Sequence, residues 1–359
     1  MPIHLSHRGR GTTESPPNRF ERLAIESDDG AWEEIAKVDP DFEARRIRTQ
    51  FLRDDTRSII TSNDSPDIGF SHSLNPYRGC EHGCAYCYAR PYHEYLGYNA
   101  GIDFETRLLV KERAPDLLEE ELAKKSWRPT GLACSGVTDC YQPIERKLEI
   151  TRRCLAVLVD FRHPVGIITK NALVTRDLDL LSELASHGAV SVTLSLTTLD
   201  AGLASVLEPR ASRPAARLAA MKTLSEAGIP VGVSVAPIIP GLNDHEIPAL
   251  LEAASANGAT SASGTMLRLP YAVKEIFAAW LDHFEPGKKE LILNRVAEIR
   301  GGKLNDSTFG SRMTGSGPLA EQIVQLLDIS KRRAGLDRPG VPLSTAAFRR
   351  RMPGQMELF

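Results

Sequence analysis

The sequence has no long uninterrupted apolar run and almost no net charge, and each absence excludes a class of protein. Charged residues interrupt every apolar run well before the roughly 18 residues that a membrane-spanning helix requires. Residues 1–17 lack the apolar core of a secretory signal. The 44 basic residues nearly balance the 46 acidic ones, so no whole-protein basic field attracts nucleic acid. We therefore expect a cytoplasmic protein without a membrane partner, on which any nucleic-acid surface is local.

Cysteine is scarce but clustered. The chain has six, an even number that allows disulfides: Cys80, Cys84, Cys87, Cys134, Cys140 and Cys154. Disulfide frameworks belong mainly to small secreted chains, however, and this chain has 359 residues and no recognisable signal. In a reducing compartment, clustered cysteines usually indicate metal binding or redox chemistry.

From Ile68 onward, apolar β-rich runs alternate with amphipathic helical segments. In the segment 178–186, for example, Leu178, Leu181 and Ala185 share one helical face. This alternation predicts parallel βαβ units in an α/β fold, and six or seven units favour a partial (β/α)6 TIM-type barrel. The dense strands at 191–197 and 231–237 are expected to be buried on both faces.

Three regions are predicted from the change in pattern along the chain. Residues 1–65 are expected to form an irregular leader with one weakly helical stretch at 41–51. Residues 66–312 form the barrel, whose chemistry belongs at the C-terminal ends of its strands. Residues 313–359 are expected to be a helix followed by a flexible basic tail.

The strongest motif is a triplet, Cys80, Cys84 and Cys87, with the spacing C-x3-C-x2-C. Three thiolates are one ligand short of a closed tetrahedral zinc site. A [4Fe–4S] cluster normally takes four cysteines, so three would leave one iron open for chemistry. Gly79 and Gly83 allow the loop to wrap closely. A structural zinc or an electron-transfer cluster is the alternative.

With Tyr86 as its aromatic residue, the motif resembles that of the radical S-adenosylmethionine (SAM) superfamily. The longer stretch 75–97 resembles the branch that includes spore photoproduct lyase, and the resemblance extends over about residues 65–312. It implies two cofactors, a [4Fe–4S] cluster and SAM, with the amino and carboxylate groups of SAM on the open iron. It also implies that one electron, from a donor such as flavodoxin or ferredoxin, cleaves SAM to a 5′-deoxyadenosyl radical that abstracts hydrogen from a substrate.

The resemblance also places a SAM pocket. Ser135, Gly136 and Asp139 match the short motif after the second strand that contacts the SAM amino group, although the usual glycine pair and Glu are replaced. An ordinary turn capped by Asp139 is the alternative. Lys170, after the third strand, matches a lysine that pairs with the SAM carboxylate; otherwise it is a surface lysine.

Further candidates lie on the next strands. Ser195 and Thr197 point inward together at the strand period of two, toward a ribose or carboxylate or toward each other. Arg210 is expected to bind a carboxylate in a bidentate manner, or to form an ion pair with Glu208. The residues around Pro237 and Ile238 resemble the segment whose backbone holds adenine.

Arg268 and Pro270 close the sixth strand and are expected to face the substrate. By the same resemblance, Cys134 or Cys140 is a candidate hydrogen donor to a product radical, with simple packing as the alternative. Cys154, on a predicted helix among apolar residues, is expected to be a core residue.

The last five residues contain a Gln, two variable residues and Leu-Phe, a pattern similar to motifs that dock bacterial proteins on the DNA sliding clamp. Leu358 and Phe359 would be the apolar anchors and Gln355 the polar one, after a basic stretch at 349–351 suited to DNA phosphate. The motif favours a nucleic-acid substrate, in a lyase or DNA-repair role. A radical SAM enzyme acting on a peptide or metabolite, and an iron–sulfur protein that does not cleave SAM, are the alternatives.

Overall fold

The computed structural model describes residues 9–12, 14–20 and 48–350. Its centre is a seven-stranded sheet with the spatial order β10-β9-β8-β7-β6-β3-β2. The neighbouring pairs from β3 to β10 are all parallel, and β2 is antiparallel to β3 at one edge. The strands are β2 (Ile60–Ser62), β3 (His72–Leu74), β6 (Leu132–Cys134), β7 (Val165–Thr169), β8 (Val190–Ser195), β9 (Val231–Ile238) and β10 (Ser261–Met266).

Helices connect the parallel strands, as the alternating pattern predicts. In chain order they are α1 (Ile102–Thr106), α2 (Ala114–Ala123), α3 (Glu145–Leu148), α4 (Ile150–Phe161), α5 (Leu178–Ser186), α6 (Ala201–Leu207), α7 (Pro214–Glu226), α8 (Ile247–Ala256), α9 (Val273–Phe284), α10 (Lys289–Glu298), α11 (Ser311–Thr314) and α12 (Pro318–Arg333). Gly188 and Gly228 follow helices with positive φ values of 61° and 76°, as expected for residues that end a helix. In the described parts of the chain, no helix is both long and apolar enough to cross a membrane.

The two faces of the central sheet differ. On one face, β-branched and leucine side chains such as Val192, Leu194 and Val233 are buried in the main core. The other face carries small residues with one large exception, Ile168, whose side chain is 38% exposed. The expectation that strands 191–197 and 231–237 are buried on both faces holds in part: on this face Ser195 and Thr197 are buried, whereas Ser191, Thr193 and Ser234 are half-buried. We call this half-open side the inner face.

A second sheet of three strands holds the segment that precedes the cysteine triplet. β1 (Gln50–Arg53) is parallel to β5 (Arg107–Val110), and β4 (Tyr77–Arg78) is antiparallel to β5. β1 and β2 thus lie inside the leader that was expected to be irregular. The helical tendency at 41–51 is corrected at its end, where Gln50 and Phe51 are in a strand; residues 41–47 lie outside the described residues.

The C-terminal segment 340–350 crosses the amino ends of the central strands. Leu343 lies against Gly131 and Gly166, and the Ser344 N–H donates to the Gly188 carbonyl at 2.8 Å. Near the end of the segment, the Phe348 ring packs against other aromatic rings of the core. These contacts correct the prediction of a flexible tail up to residue 350, because the segment packs on the core here without regular secondary structure.

Candidate active site

The cysteine triplet lies in a loop that directly follows β4, at the carboxyl end of the parallel strands. Cys80 and Cys84 are buried and Cys87 is half-buried. Gly79 and Gly83 take positive φ values of 78° and 67°, the left-handed conformation that suits glycine. Burial raises the pKa of all three thiols, to about 12 for Cys84. The free side chains are therefore neutral thiols at neutral pH.

A buried arginine holds the backbone of this cysteine loop. Arg90, fully buried, donates hydrogen bonds to the carbonyls of Gly83 and Cys84 at 3.0–3.2 Å. Its charge is balanced by Glu105, at 2.5 Å and equally buried. The sequence analysis missed this pair, because two charges fifteen positions apart in irregular segments give no periodic signal.

The leader packs against the same loop. The Gly11 N–H donates to the Glu105 carboxylate at 3.0 Å, and Arg10 donates to the Glu105 carbonyl at 2.8 Å. A Cβ on Gly11 would lie 1.4 Å from the Gly83 carbonyl oxygen, so the two backbones approach as closely as glycine allows. Residues 9–12 therefore belong to the wall of the site, which the interpretation as an irregular leader did not predict.

Tyr86 is anchored by a buried carboxylate. Its hydroxyl donates to Glu208, which also accepts from the Thr197 hydroxyl at 2.6 Å and forms an ion pair with Arg217. Burial disfavours the charged form of Glu208, but Arg217 and these hydrogen bonds outweigh it and lower its pKa to about 2. The network joins the cysteine loop to the carboxyl end of β8.

The predicted ion pair between Glu208 and Arg210 is wrong, because Glu208 pairs with Arg217 instead. Arg210 reaches the outer side of the cysteine loop, where it pairs with Glu81 at 2.9 Å and donates to the Gly9 carbonyl at 3.1 Å. The Arg210 side chain thus holds the loop and the leader together.

Asp139 is satisfied by protein groups. Its carboxylate accepts hydrogen bonds from the Thr169 hydroxyl and from the N–H groups of Tyr141 and Lys170 at 2.7–2.9 Å, and it lies 3.3 Å from His82. Burial opposes ionisation, but His82 and these donors lower its pKa to about 2. Four partners fill the four acceptor positions of a carboxylate, so the geometry favours the structural alternative for Asp139.

Lys170 lies where a ligand above the cysteine loop could reach it. It follows β7 directly, and its ammonium lies 5.8 Å from the centre of the Tyr86 ring. Beside it, Ser195 pairs with Ser234 and Ser234 with Ser263 across neighbouring strands. A lysine and a row of three serines thus border the inner face next to the cysteine loop.

Comparison with known proteins decides the family. Residues 74–254 match the family model of the Radical SAM superfamily, which is just over half of the chain. The chain belongs to the radical SAM superfamily. An uncharacterised protein of Mycobacterium tuberculosis is 35% identical over 294 residues, which cover 81% of this chain and 83% of that protein. An uncharacterised protein of Methanocaldococcus jannaschii is 34% identical over 178 residues, covering 50% of this chain and 64% of that one.

The fold of this radical SAM protein resembles that of spore photoproduct lyase. A structure of that enzyme complexed with dinucleoside spore photoproduct has a TM-score of 0.60 and 15% sequence identity, and the match covers 82% of each chain. A second structure, of its Y98F mutant, also has a TM-score of 0.60 and covers 89% of this chain and 86% of that one. At this identity the likeness concerns the fold.

The remaining candidates of this radical SAM protein are distributed around the site. Ser135 donates its hydroxyl to the Thr138 carbonyl at 2.8 Å, and the Gly136 carbonyl, expected to face a ligand, accepts from the Tyr88 hydroxyl. Pro237 and Ile238 end β9 and are buried, and Asn243 donates to the Pro237 carbonyl at 3.0 Å. The adenine candidates therefore lie at the carboxyl edge of the sheet, as the resemblance implies.

Cys134 and Cys140 lie within the main core. Both are almost completely buried, and the Cys140 thiol donates to the Cys134 carbonyl at 3.5 Å. Cys134 pairs with Ile167, a residue of the packed face rather than the inner face. This placement favours packing over hydrogen donation for both thiols. Cys154 is in the same core, so its predicted core position is confirmed.

Proposed function

We propose that this protein is a radical SAM enzyme that holds a [4Fe–4S] cluster through Cys80, Cys84 and Cys87 and binds SAM at the carboxyl edge of the inner face. One observation carries the proposal: a preformed three-cysteine loop lies at the end of six parallel strands, beside a lysine and a half-open sheet face. The same six strands, with small residues on the inner face, suit a partial (β/α)6 barrel.

The donor set fits such a cluster. Among the residues that the structure describes, no three His, Cys, Asp or Glu side chains are grouped as a single metal ion requires. A [4Fe–4S] cluster does not require its ligands to converge on one metal ion, because each thiolate binds a different iron. A bound metal deprotonates a coordinating thiol outright, so the raised pKa values of the metal-free cysteines do not oppose this role.

When bound, the cluster and SAM together would supply a 5′-deoxyadenosyl radical that abstracts a hydrogen atom from a substrate. Lys170 would bind the SAM carboxylate, since its ammonium already lies over Tyr86. Ser195 would bind a hydroxyl of the ribose. Tyr86, held by Glu208, would form a fixed wall that excludes water from this end of the sheet.

We further propose that the substrate is nucleic acid and that the protein acts in the cytoplasm with a flavodoxin- or ferredoxin-like electron donor. Gln355, Leu358 and Phe359, proposed to dock on a DNA sliding clamp, lie outside the described residues. A peptide of the last six residues, titrated against the clamp with Leu358 and Phe359 changed to alanine as the control, tests this partner. A peptide or metabolite substrate is the alternative.

Anaerobic reconstitution tests the core of the proposal. The protein should bind about four iron atoms per chain and, with SAM and dithionite, form 5′-deoxyadenosine. Cys80→Ala should lose both properties, whereas Cys154→Ala, which removes a thiol from the core, should retain both. Lys170→Met should keep its iron and bind SAM roughly tenfold to a hundredfold more weakly, as expected for one lost charge-assisted contact. Formation of 5′-deoxyadenosine by Cys80→Ala would contradict the assignment.

A further inference from the structure

A cavity of about 620 Å³ opens beside the cysteine loop. Tyr88, which directly follows Cys87, forms one wall, and Arg268 and Pro270, after β10, form another. The Tyr88 hydroxyl also donates to the Gly136 carbonyl, within the predicted SAM segment. A molecule in this cavity would therefore lie next to the site at which we propose that a radical forms.

The cavity carries an excess of positive charge. Among the described residues that line it, one is acidic, Asp306, and five are basic: Arg19, Arg268, Lys274, Lys303 and Arg312. Three of the five have carboxylate neighbours, since Arg19 lies 3.3 Å from Glu94, Lys274 lies 3.8 Å from Glu275, and Arg312 lies 2.6 Å from Asp67.

Arg268 and Lys303 differ from the other three. Within the described chain, neither has a carboxylate at ion-pair distance, although the Arg268 guanidinium lies 5.0 Å from the centre of the Tyr88 ring. Burial lowers the pKa of Arg268, and the nearby Arg312 adds to this effect against the opposing influence of Tyr88. A half-buried cation without an acidic partner provides a place for an anion.

Four tyrosines present their rings in the same cavity. Tyr88, Tyr92, Tyr95 and Tyr271 are 43–68% exposed, and the Arg19 guanidinium lies 3.9 Å from the centre of the Tyr271 ring. Rings and stacked guanidinium groups offer flat surfaces to planar ligands, whereas the unpaired cations attract phosphate. This cavity therefore forms a groove lined by both cations and exposed rings. Surfaces that bind single-stranded nucleic acid combine these two features.

We propose that this groove binds a single-stranded nucleic acid, with phosphates on Arg268 and Lys303 and bases stacked on the exposed tyrosines. The proposal rests on the proposed function, which it deepens by naming the substrate class. A single strand is required, because the bases of a duplex are already stacked and paired. A nucleotide held beside Tyr88 would then be the one presented to the cysteine loop.

Binding of fluorescein-labelled 12-nucleotide DNA and RNA strands to the anaerobically reconstituted full chain, followed by anisotropy, tests this proposal. We expect one strand type or both to bind more tightly than the corresponding duplex. Arg268→Gln with Lys303→Gln should weaken binding at least tenfold and reduce the slope of log K against log salt by about 1.4, or 0.7 for each lost phosphate contact. Tyr92→Ala with Tyr95→Ala should weaken binding by at least about fivefold per ring.

Lys222→Gln is the matched control, because Lys222 is an exposed lysine on α7 outside the groove. This variant should bind the strands with the affinity of the wild type. Polyglutamate, a polyanion without bases, should compete poorly. Equal binding of polyglutamate, unchanged affinity in both groove variants, or no binding of any strand would overturn the proposal. Formation of 5′-deoxyadenosine is measured on the same samples, so loss of strand binding with retained SAM cleavage refutes the groove and leaves the proposed function standing.

Discussion

The two ends of the central strands are built in different ways. At the amino end, segment 340–350 is held by hydrogen bonds to backbone carbonyls, donated by the Ser344 N–H and by the partly exposed guanidinium groups of Arg349 and Arg350, and by the packing of the Phe348 ring on Phe161 and His163. At the carboxyl end, fully buried ion pairs, Arg90–Glu105 and Arg217–Glu208, hold the cysteine loop. Burying charge costs free energy that an apolar contact does not, so the carboxyl end gives up stability in order to hold groups in position.

Breaking a charge pair at the carboxyl end should have the largest effect. Arg217→Met leaves Glu208 buried without its cation, which should lower the free energy of unfolding by about 3–5 kcal/mol, measured by urea denaturation. Adding Glu208→Gln should recover much of this loss, because an amide is neutral and still accepts hydrogen bonds from Tyr86 and Thr197.

The same helix supplies the control. Lys222 forms an exposed pair with Glu226 on α7, so Lys222→Met should change stability very little. If Arg217→Met and Lys222→Met destabilised the protein equally, the buried pair would not differ from a surface pair and the contrast between the two ends would fail.

At the amino end, we expect the free energy of unfolding to depend on pH. Burial lowers the pKa of His163 to about 4, and the Trp127 indole N–H donates to its ring at 3.1 Å, which requires the neutral form. The unfolded chain takes up this proton near pH 6.5, so the stabilising contribution is complete above that pH and is lost as the pH falls toward 4. The free energy of unfolding lost in this way is about 3 kcal/mol. Unfolding free energies measured from pH 7 to 4, with tryptophan fluorescence as the signal, should fall more steeply for the wild type than for His163→Gln; parallel curves would contradict this.

The smallest effect is expected where the leader meets the cysteine loop. Gly11→Ala would place a methyl group inside the Gly83 carbonyl, so residues 9–12 must withdraw, at a cost of about 1–3 kcal/mol. The variant should also retain less iron after reconstitution. Gly69→Ala, at a position where an added Cβ meets nothing within 4 Å, is the matched control and should behave like the wild type. If Gly11→Ala retained as much iron as Gly69→Ala, the contact between residues 9–12 and the cysteine loop would not be needed for iron binding.

Local patterns in the sequence predicted much of this architecture. The alternation of strands and helices predicted parallel strands. The hydrophobic period and the length of each segment distinguish a helix from a strand, and a strand–helix–strand order implies a parallel βαβ connection. The cysteine spacing identified the loop, and the position of Lys170 after β7 placed it at the carboxyl edge. Each of these features depends on residues close together in the chain.

Contacts between distant polar residues could not be predicted in this way. Proximity in sequence suggested that Glu208 pairs with Arg210. In the fold, Glu208 pairs with Arg217 and Arg210 pairs with Glu81. Likewise, the approach of Gly11 to Gly83 has no periodic signal. The packing of segment 340–350 was missed because its composition disfavours helices and strands but says nothing about docking.

Segment 340–350 also covers the inner face of the sheet at the amino ends of its strands. Leu343 covers Gly166 at the amino end, whereas Ile168, two residues further along the same strand, is exposed. The inner face is therefore covered at its amino end and open further along, toward the cysteine loop. A ligand that binds on this face would lie between the docked C-terminal segment and the cysteine loop, so Leu343 helps to set how deep such a ligand can reach.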